Sequence, residues 1–81
     1  MNSNKQNLIN KIIYRSQYRG TKEMDILLGK FVKSIIESLD IDDLQDLDLL
    51  VNMNDEDIKQ IFDGKKGFVN SKILKIIRDF N

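Results

Sequence analysis

The residues of this 81-residue chain that are best suited to bind another molecule lie in the segment YRGTKEMD, residues 18–25. Arg19 offers a planar guanidinium with five N–H donors, Glu23 and Asp25 offer carboxylates, and Gly20 lies between them. Arg19 and Glu23 are separated by four positions across a predicted chain reversal, so we expect both to point outward from one corner. An arginine fork beside carboxylates is suited to the recognition of a protein partner.

An ordinary structural interpretation of the same residues is also open. Gly20 is well placed for the left-handed conformation that is common just after a helix, and Arg19 would be a basic residue at the C-terminus of that helix. Glu23 would be a carboxylate that the dipole favours at the start of the next helix. Because each of these features is common, the residue types alone do not decide between a binding site and a helix cap.

Catalysis by the chain itself is not expected. The sequence has no cysteine and no histidine, which excludes disulfides, thiolate nucleophiles and zinc sites built from those residues. The turn GKKG, residues 64–67, lacks the spacing of a phosphate-binding loop. The acidic run DIDDLQDLD, residues 40–48, lacks the glycine and the glutamate that a calcium-binding EF-hand loop requires. We therefore expect no catalytic residue, no metal and no stably bound cofactor.

Charge is distributed unevenly although the net charge is zero. Residues 1–36 carry seven Lys and Arg against two acidic residues, residues 37–63 carry ten acidic residues against one lysine, and residues 64–81 are basic again. Such a layout can partly neutralise itself in the folded chain, or it can orient a partner. Nucleic acid is not an expected partner, because nucleic-acid-binding domains usually carry a clear basic excess.

Membrane insertion is not expected either. No run approaches the roughly 20 apolar residues that a membrane helix needs. The N-terminal segment MNSNKQNLINKII is interrupted by Asn10 and Lys11, so it lacks the apolar core of a secretory signal. These features predict a protein that works in the cytoplasm.

Helical spacing of apolar residues dominates the whole chain and predicts an all-α fold. We expect a single small domain over residues 1–81, with its core in about residues 5–80, built as a bundle of about five short helices. The predicted helices begin near Lys5, after Thr21, at Asp42 or Asp43, after Asn54, and at Asn70 or Ser71. The clearest apolar stripe belongs to the second helix and consists of Met24, Leu27, Leu28, Phe31, Val32, Ile35, Ile36 and Leu39.

The segment IYRSQYRGTKEMDILLGKF resembles the signature of the succinate dehydrogenase assembly factor 2 family, whose bacterial members are small FAD-assembly, or flavinylation, factors. The family pattern is met here by Tyr14, Ser16, Arg19, Gly20, Glu23, Asp25 and Leu28. Downstream, LLVNMNDEDIKQIFDGK is similar to the family's leucine-rich helix, acidic helix start and glycine turn. Asn52 and Ile61 stand where family members often carry glutamate and tryptophan, so we expect this part of the chain to contact a partner less strongly or differently.

The resemblance implies a five-helix bundle that acts as a chaperone rather than as an enzyme. Such a protein would bind the flavoprotein subunit of succinate dehydrogenase and promote covalent attachment of FAD to a histidine of that subunit, so FAD would be the cofactor of the client. A monomer is expected, and fumarate reductase is open as a second client. The resemblance makes the following residues candidates for partner binding: Tyr14, Arg15, Ser16, Arg19, Gly20, Glu23 and Asp25.

A second class of function remains open at this point. The chain could be a generic interaction module, such as an antitoxin-like adapter, that binds through the acidic face of residues 40–57. The two hypotheses place the binding site differently, at the corner of Arg19 and Glu23 for the assembly factor and on the acidic middle helices for the adapter.

Overall fold

The computed structural model describes residues 3–80, and these residues form five α-helices and no strand. Helix α1 spans Ser3–Gln17, α2 spans Lys22–Ile35, α3 spans Ile41–Val51, α4 spans Asp55–Phe62 and α5 spans Ser71–Phe80. A short 3-10 helix, Ile36–Ser38, follows α2 directly. The predicted all-α bundle of about five short helices is confirmed. Among residues 3–80, no helix has both the length and the apolar composition needed to cross a bilayer.

Polar side chains fix where the later helices begin. Each accepts a hydrogen bond from the backbone N–H three residues ahead, which satisfies a donor that has no partner within the helix. The four residues that do this are Thr21, Asp40, Asn54 and Asn70. Helix α3 begins at Ile41, earlier than the predicted start at Asp42 or Asp43, because the carboxylate of Asp40 accepts from the N–H of Asp43 at 2.9 Å.

The core is organised around α2, as the apolar stripe predicts. Every member of that stripe is buried except Leu27, which is partly buried and packs against the core. Phe31 is fully buried and makes edge-to-face contacts with Phe62 of α4 and Phe80 of α5, at centroid distances of 5.2 and 5.3 Å. Each such apolar side chain contributes about 1.5–3 kcal/mol on burial, before the entropy cost of ordering it. The core therefore holds α2 in a fixed position relative to α4 and α5.

The connection between α1 and α2 is a tight reversal that turns at Gly20. Gly20 has a φ of +107°, a conformation that residues with a Cβ rarely adopt, so its predicted left-handed role is confirmed. A Cβ built at this position would meet nothing within 4 Å. The corner is therefore open to solvent at Gly20, and glycine is needed there for its backbone conformation rather than for lack of space within the chain.

Candidate functional site

Arg19 lies at the corner between α1 and α2, but its side chain turns inward and is only 12% exposed. Nη1 and Nη2 donate to the backbone carbonyl oxygens of Val51 and Met53, where α3 ends. Nε donates to Oδ1 of Asp55, the first residue of α4, at 3.0 Å. The expectation that Arg19 points outward beside Glu23 is therefore wrong.

The end of α3 and the start of α4 together explain this orientation of Arg19. The last carbonyl groups of a helix lack partners within the helix and carry the negative end of its dipole, so they attract a cationic donor. The guanidinium is planar and can reach two carbonyl oxygens and one carboxylate at the same time. One side chain from the corner thereby links it to both α3 and α4.

Asp25 stabilises the same corner from the first turn of α2. Its Oδ1 accepts a hydrogen bond from the backbone N–H of Arg19 at 2.7 Å. Thr21 also caps α2, since its hydroxyl accepts from the N–H of Met24 at 3.3 Å. The carboxylate of Asp25 is thus engaged within the corner, where it fixes the backbone on the α1 side of Gly20.

Ser16 lies inside the protein and not on the corner surface. It is 1% exposed, and its hydroxyl donates to the carbonyl oxygen of Ile13 at 2.7 Å. A hydroxyl in this position stays within its own helix turn, so its assignment as a residue that touches a partner is corrected.

The remaining predicted residues do face solvent. Tyr14, Arg15, Gly20 and Glu23 are all exposed. Tyr14 is 64% exposed and contacts Tyr18, which is 70% exposed, with ring centroids 4.7 Å apart. Exposed tyrosines offer a large apolar surface together with a polar tip, which is typical of residues that anchor protein interfaces. Sequence reasoning missed Tyr18, which lies one residue beyond the end of α1 but four positions from Tyr14, the spacing at which side chains along a helix come together.

A groove of about 380 Å³ runs between the N-terminal turns of α2 and α4. Its lining consists of Thr21, Glu23, Met24, Asp55, Glu56 and Lys59. Asp55 therefore has two roles in the site, because it lines this groove and also pairs with Arg19. The sequence predicts the acidic start of α4 as a helix terminus and as part of the acidic face of residues 40–57, but does not place it beside the corner.

The acidic middle of the chain is largely paired with basic and amide groups of the same chain. Asn70 donates to Asp43 and to Asp46, each at 2.9 Å, and Lys72 forms an ion pair with Asp43 at 3.0 Å. Lys11 of α1 pairs with Asp48 at 3.4 Å. The predicted internal neutralisation of acidic by basic segments is confirmed for these residues, and it occupies much of the surface that the adapter hypothesis requires.

These contacts also shift two ionisation equilibria. The hydrogen bond from Asn70, followed by the contact with Lys72, lowers the pKa of Asp43 below its ordinary value. The hydrogen bond and charge of Asp43 raise the pKa of Lys72. Both shifts favour the charged forms, as expected for an ion pair supported by an additional donor.

The two departures from the family pattern lie in different environments. Ile61 is fully buried, so its own side chain presents no surface to a partner. Asn52 is exposed at the end of α3, where its amide donates to the backbone oxygen and the carboxylate of Asp48 at 2.7 and 3.1 Å. Asn52 is the C-cap residue of α3. It directly follows Val51, whose carbonyl oxygen accepts from the Arg19 guanidinium.

A second groove, of about 510 Å³, lies between α3 and the connection from α4 to α5. It is lined by Leu49, Met53, Lys66, Gly67, Phe68 and Val69. Leu49 and Val69 are exposed apolar residues. They do not belong to the helical stripes from which the core was predicted, so the sequence analysis did not identify this surface.

Comparison with known proteins agrees with the resemblance. A family model described as flavinator of succinate dehydrogenase matches residues 10–81. The Saccharomyces cerevisiae protein named succinate dehydrogenase assembly factor 2, mitochondrial, is 31% identical over 80 residues, an alignment that covers 88% of this chain and 48% of the yeast protein. The Arabidopsis thaliana protein of the same name is 34% identical over 55 residues, which covers 68% of this chain and 29% of the plant protein.

A bacterial relative is also similar to the chain. The Acetobacter pasteurianus protein named FAD assembly factor SdhE is 26% identical over 68 residues, an alignment that covers 84% of this chain and 62% of that protein. The chain therefore matches less than two thirds of the length of each of these three relatives. No solved structure matches the chain.

Proposed function

The chain belongs to the family described as flavinator of succinate dehydrogenase, and on this premise we propose that it binds the flavoprotein subunit of succinate dehydrogenase and promotes covalent attachment of FAD to a histidine of that subunit. One observation carries the proposal: the segment that bears the family pattern forms an exposed corner whose backbone is fixed from within by Arg19 and Asp25. A rigid exposed surface binds a partner with less loss of conformational entropy than a flexible one.

In this proposal the chain contributes binding and positioning, while the client contributes the reacting groups. The chain has neither histidine nor cysteine to act as a nucleophile. Bond formation requires the flavin and the client histidine to be held about 3–3.5 Å apart in a suitable orientation, and holding that geometry can supply much of the rate enhancement. FAD is then the cofactor of the client, and this chain holds none stably.

The client contacts are assigned to the groups that face solvent at the corner. Glu23 would accept hydrogen bonds or pair with a cation of the client, and the exposed backbone at Gly20 would allow close approach. Arg15 would add a cationic fork, while Tyr14 and Tyr18 would provide apolar contact area. Arg19 and Asp25 support this surface from inside the corner.

The proposal includes action in the cytoplasm, as a monomer. The bacterial relative named as an FAD assembly factor supports a role that does not depend on a mitochondrion. Fumarate reductase is a second client to include in the test, since it too has a flavoprotein subunit.

The test is in-gel flavin fluorescence of the client subunit after coexpression with the chain. We expect strong fluorescence with the unaltered chain, weak fluorescence without it, and a clear reduction with Glu23→Ala. Glu37→Ala is the matched control, because Glu37 is also an exposed glutamate but follows the opposite end of α2, about 20 Å away along the helix. Fluorescence that does not depend on the chain, or that falls equally with both variants, would contradict the proposal.

A further inference from the structure

The contact between Arg19 and Asp55 joins two parts of the chain that lie 36 residues apart. We propose that these two residues are positioning residues for client binding: their ion pair holds the first turn of α4 against the α1–α2 corner, so that both parts form one client-binding surface. This inference rests on the proposed function. It extends the client-binding surface from the α1–α2 corner to the first turn of α4.

Arg19 is suited to this role because it is held at both of its ends. Its backbone N–H donates to Asp25 of α2 at 2.7 Å, and its guanidinium donates to Val51, Met53 and Asp55. Three nitrogens of the guanidinium thus have acceptors in a site that is mostly closed to water. A buried cation with its donors satisfied has one favourable position, and moving Asp55 would leave part of it without a partner.

Asp55 is suited to the role because it belongs both to the Arg19–Asp55 ion pair, here called the corner clamp, and to the lining of the groove between α2 and α4. It pairs with Arg19 and also lines the groove in which Glu23 of α2 faces Glu56 and Lys59 of α4. The walls of this groove belong to two different helices. The core holds the far end of α4 against α2 through Phe62, whereas the contact with Arg19 fixes the first turn of α4, which forms one wall of the groove, against the corner.

Helix α4 also offers a matched control. Asp57 lies in the same first turn as Asp55, but it pairs with Lys66 of the α4–α5 connection at 3.2 Å. Asp55→Asn and Asp57→Asn each remove one carboxylate charge from the N-terminal turn of α4, so their effects on the helix dipole should be alike. Only Asp55→Asn removes the negative charge that pairs with Arg19.

The experiment measures the dissociation constant for a purified flavoprotein subunit of succinate dehydrogenase prepared without covalent flavin. Each variant is tested well below its melting temperature, with its fold checked by circular dichroism. We expect Asp55→Asn and Arg19→Lys each to weaken binding about tenfold, and Asp57→Asn to stay within about twofold of the unaltered chain. A purely structural role would lower the melting temperature without changing the dissociation constant of the folded protein, and that result would overturn the inference.

A double-mutant cycle separates positioning from direct contact. If both residues act through one clamp, Arg19→Lys combined with Asp55→Asn should weaken binding about as much as either change alone. Independent contacts with the client would instead multiply, giving a loss of about a hundredfold, and would overturn the inference.

Glu23→Ala distinguishes failure of this inference from failure of the proposed function. Weaker binding with Glu23→Ala, together with equal binding by Asp55→Asn and Asp57→Asn, would overturn the positioning role alone. A flavoprotein subunit that does not bind the unaltered chain at all would overturn the proposed function and the positioning role with it.

Discussion

Two polar junctions connect distant parts of the chain to α3, one at each end of that helix. At its C-terminal end, Arg19 is almost enclosed and donates to backbone carbonyls and to Asp55. At its N-terminal end, Asn70 and Lys72 contact Asp43, but the side chain of Lys72 is 58% exposed. Similar charged groups thus produce a rigid internal clamp in one place and a surface contact open to water in the other. Burial and the number of acceptors, rather than the charges themselves, make the difference.

The largest expected difference between the junctions is in stability after loss of the cation. Arg19→Ala should lower the free energy of unfolding by on the order of 3 kcal/mol, because it leaves Asp55 and the final carbonyl groups of α3 without their partner. Lys72→Ala should be hard to distinguish from the unaltered chain, since water replaces an exposed ammonium group. Chemical denaturation followed by circular dichroism measures both. Equal losses for the two variants would mean that the corner clamp is no stronger than a surface ion pair.

Loss of the Asn70 side-chain contacts at the second junction should lower the free energy of unfolding by an amount between the effects of Arg19→Ala and Lys72→Ala. Asn70→Ala removes the cap of α5 and two hydrogen bonds to carboxylates of α3, so we expect a loss of about 1–2 kcal/mol. Asn54→Ala is the control, because the side chain of Asn54 caps α4 through Asp57. If the two variants have the same unfolding midpoint in denaturant, the contacts of Asn70 with α3 add nothing to its cap.

Glycine substitutions compare the backbones of the two connections. Gly20→Ala should cost about 1 kcal/mol, because alanine disfavours the positive φ of the corner even though space is available for a methyl group. Gly67→Ala, in the connection that leads to α5, should be neutral or slightly stabilising, since Gly67 does not have a positive φ and is equally unobstructed. Thermal melts of both variants test this, and equal melting temperatures would show that the corner backbone tolerates a Cβ.

The smallest expected effect is the pH dependence of stability that Asp43 contributes at the exposed junction. The pKa of Asp43 is lower in the folded chain than its ordinary value of 3.8, so its contribution to stability is present above that value and is lost as the pH falls through the folded pKa. The free energy of unfolding should therefore fall less steeply below about pH 4 in Asp43→Asn than in the unaltered chain. Asn70→Ala should reduce this slope more than Lys72→Ala, because the hydrogen bond from Asn70 is the larger cause of the shift.

The outcome of that measurement is read from urea unfolding at several acidic pH values. An acid slope that is the same in Asp43→Asn and in the unaltered chain would show that Asp43 gains nothing from the junction.

Much of the fold was predictable from the sequence because it depends on local patterns. The stripe of α2 repeats at helical spacing, so its burial followed from periodicity alone. Thr21, Asn54 and Asn70 are typical capping residues followed by helical segments, and Gly20 is typical of a positive φ after a helix. These features are properties of a few neighbouring residues, and the structure confirms them.

The orientation of Arg19 was not predictable in the same way. Three of its acceptors lie 32 to 36 residues away, and two of these are backbone carbonyl groups that any residue type would provide. The residue types around position 19 do not show whether the Arg19 guanidinium points toward solvent or toward the interior of the protein. Ser16 was misjudged for a related reason, since its burial depends on how α1 packs rather than on its own residue type.

The long separation between Arg19 and its acceptors also has a consequence for the order of events during translation. Residues 18–25 leave the ribosome well before Asp55, and a chain folds as its segments become available, beginning at the N-terminus. A nascent chain that stops before the end of α3 carries residues 18–25 but neither the carbonyl groups of Val51 and Met53 nor the carboxylate of Asp55 that hold Arg19 in place. The finished corner is therefore formed only late in synthesis, and we expect truncated or still-growing chains to be unable to compete with completed molecules for the client.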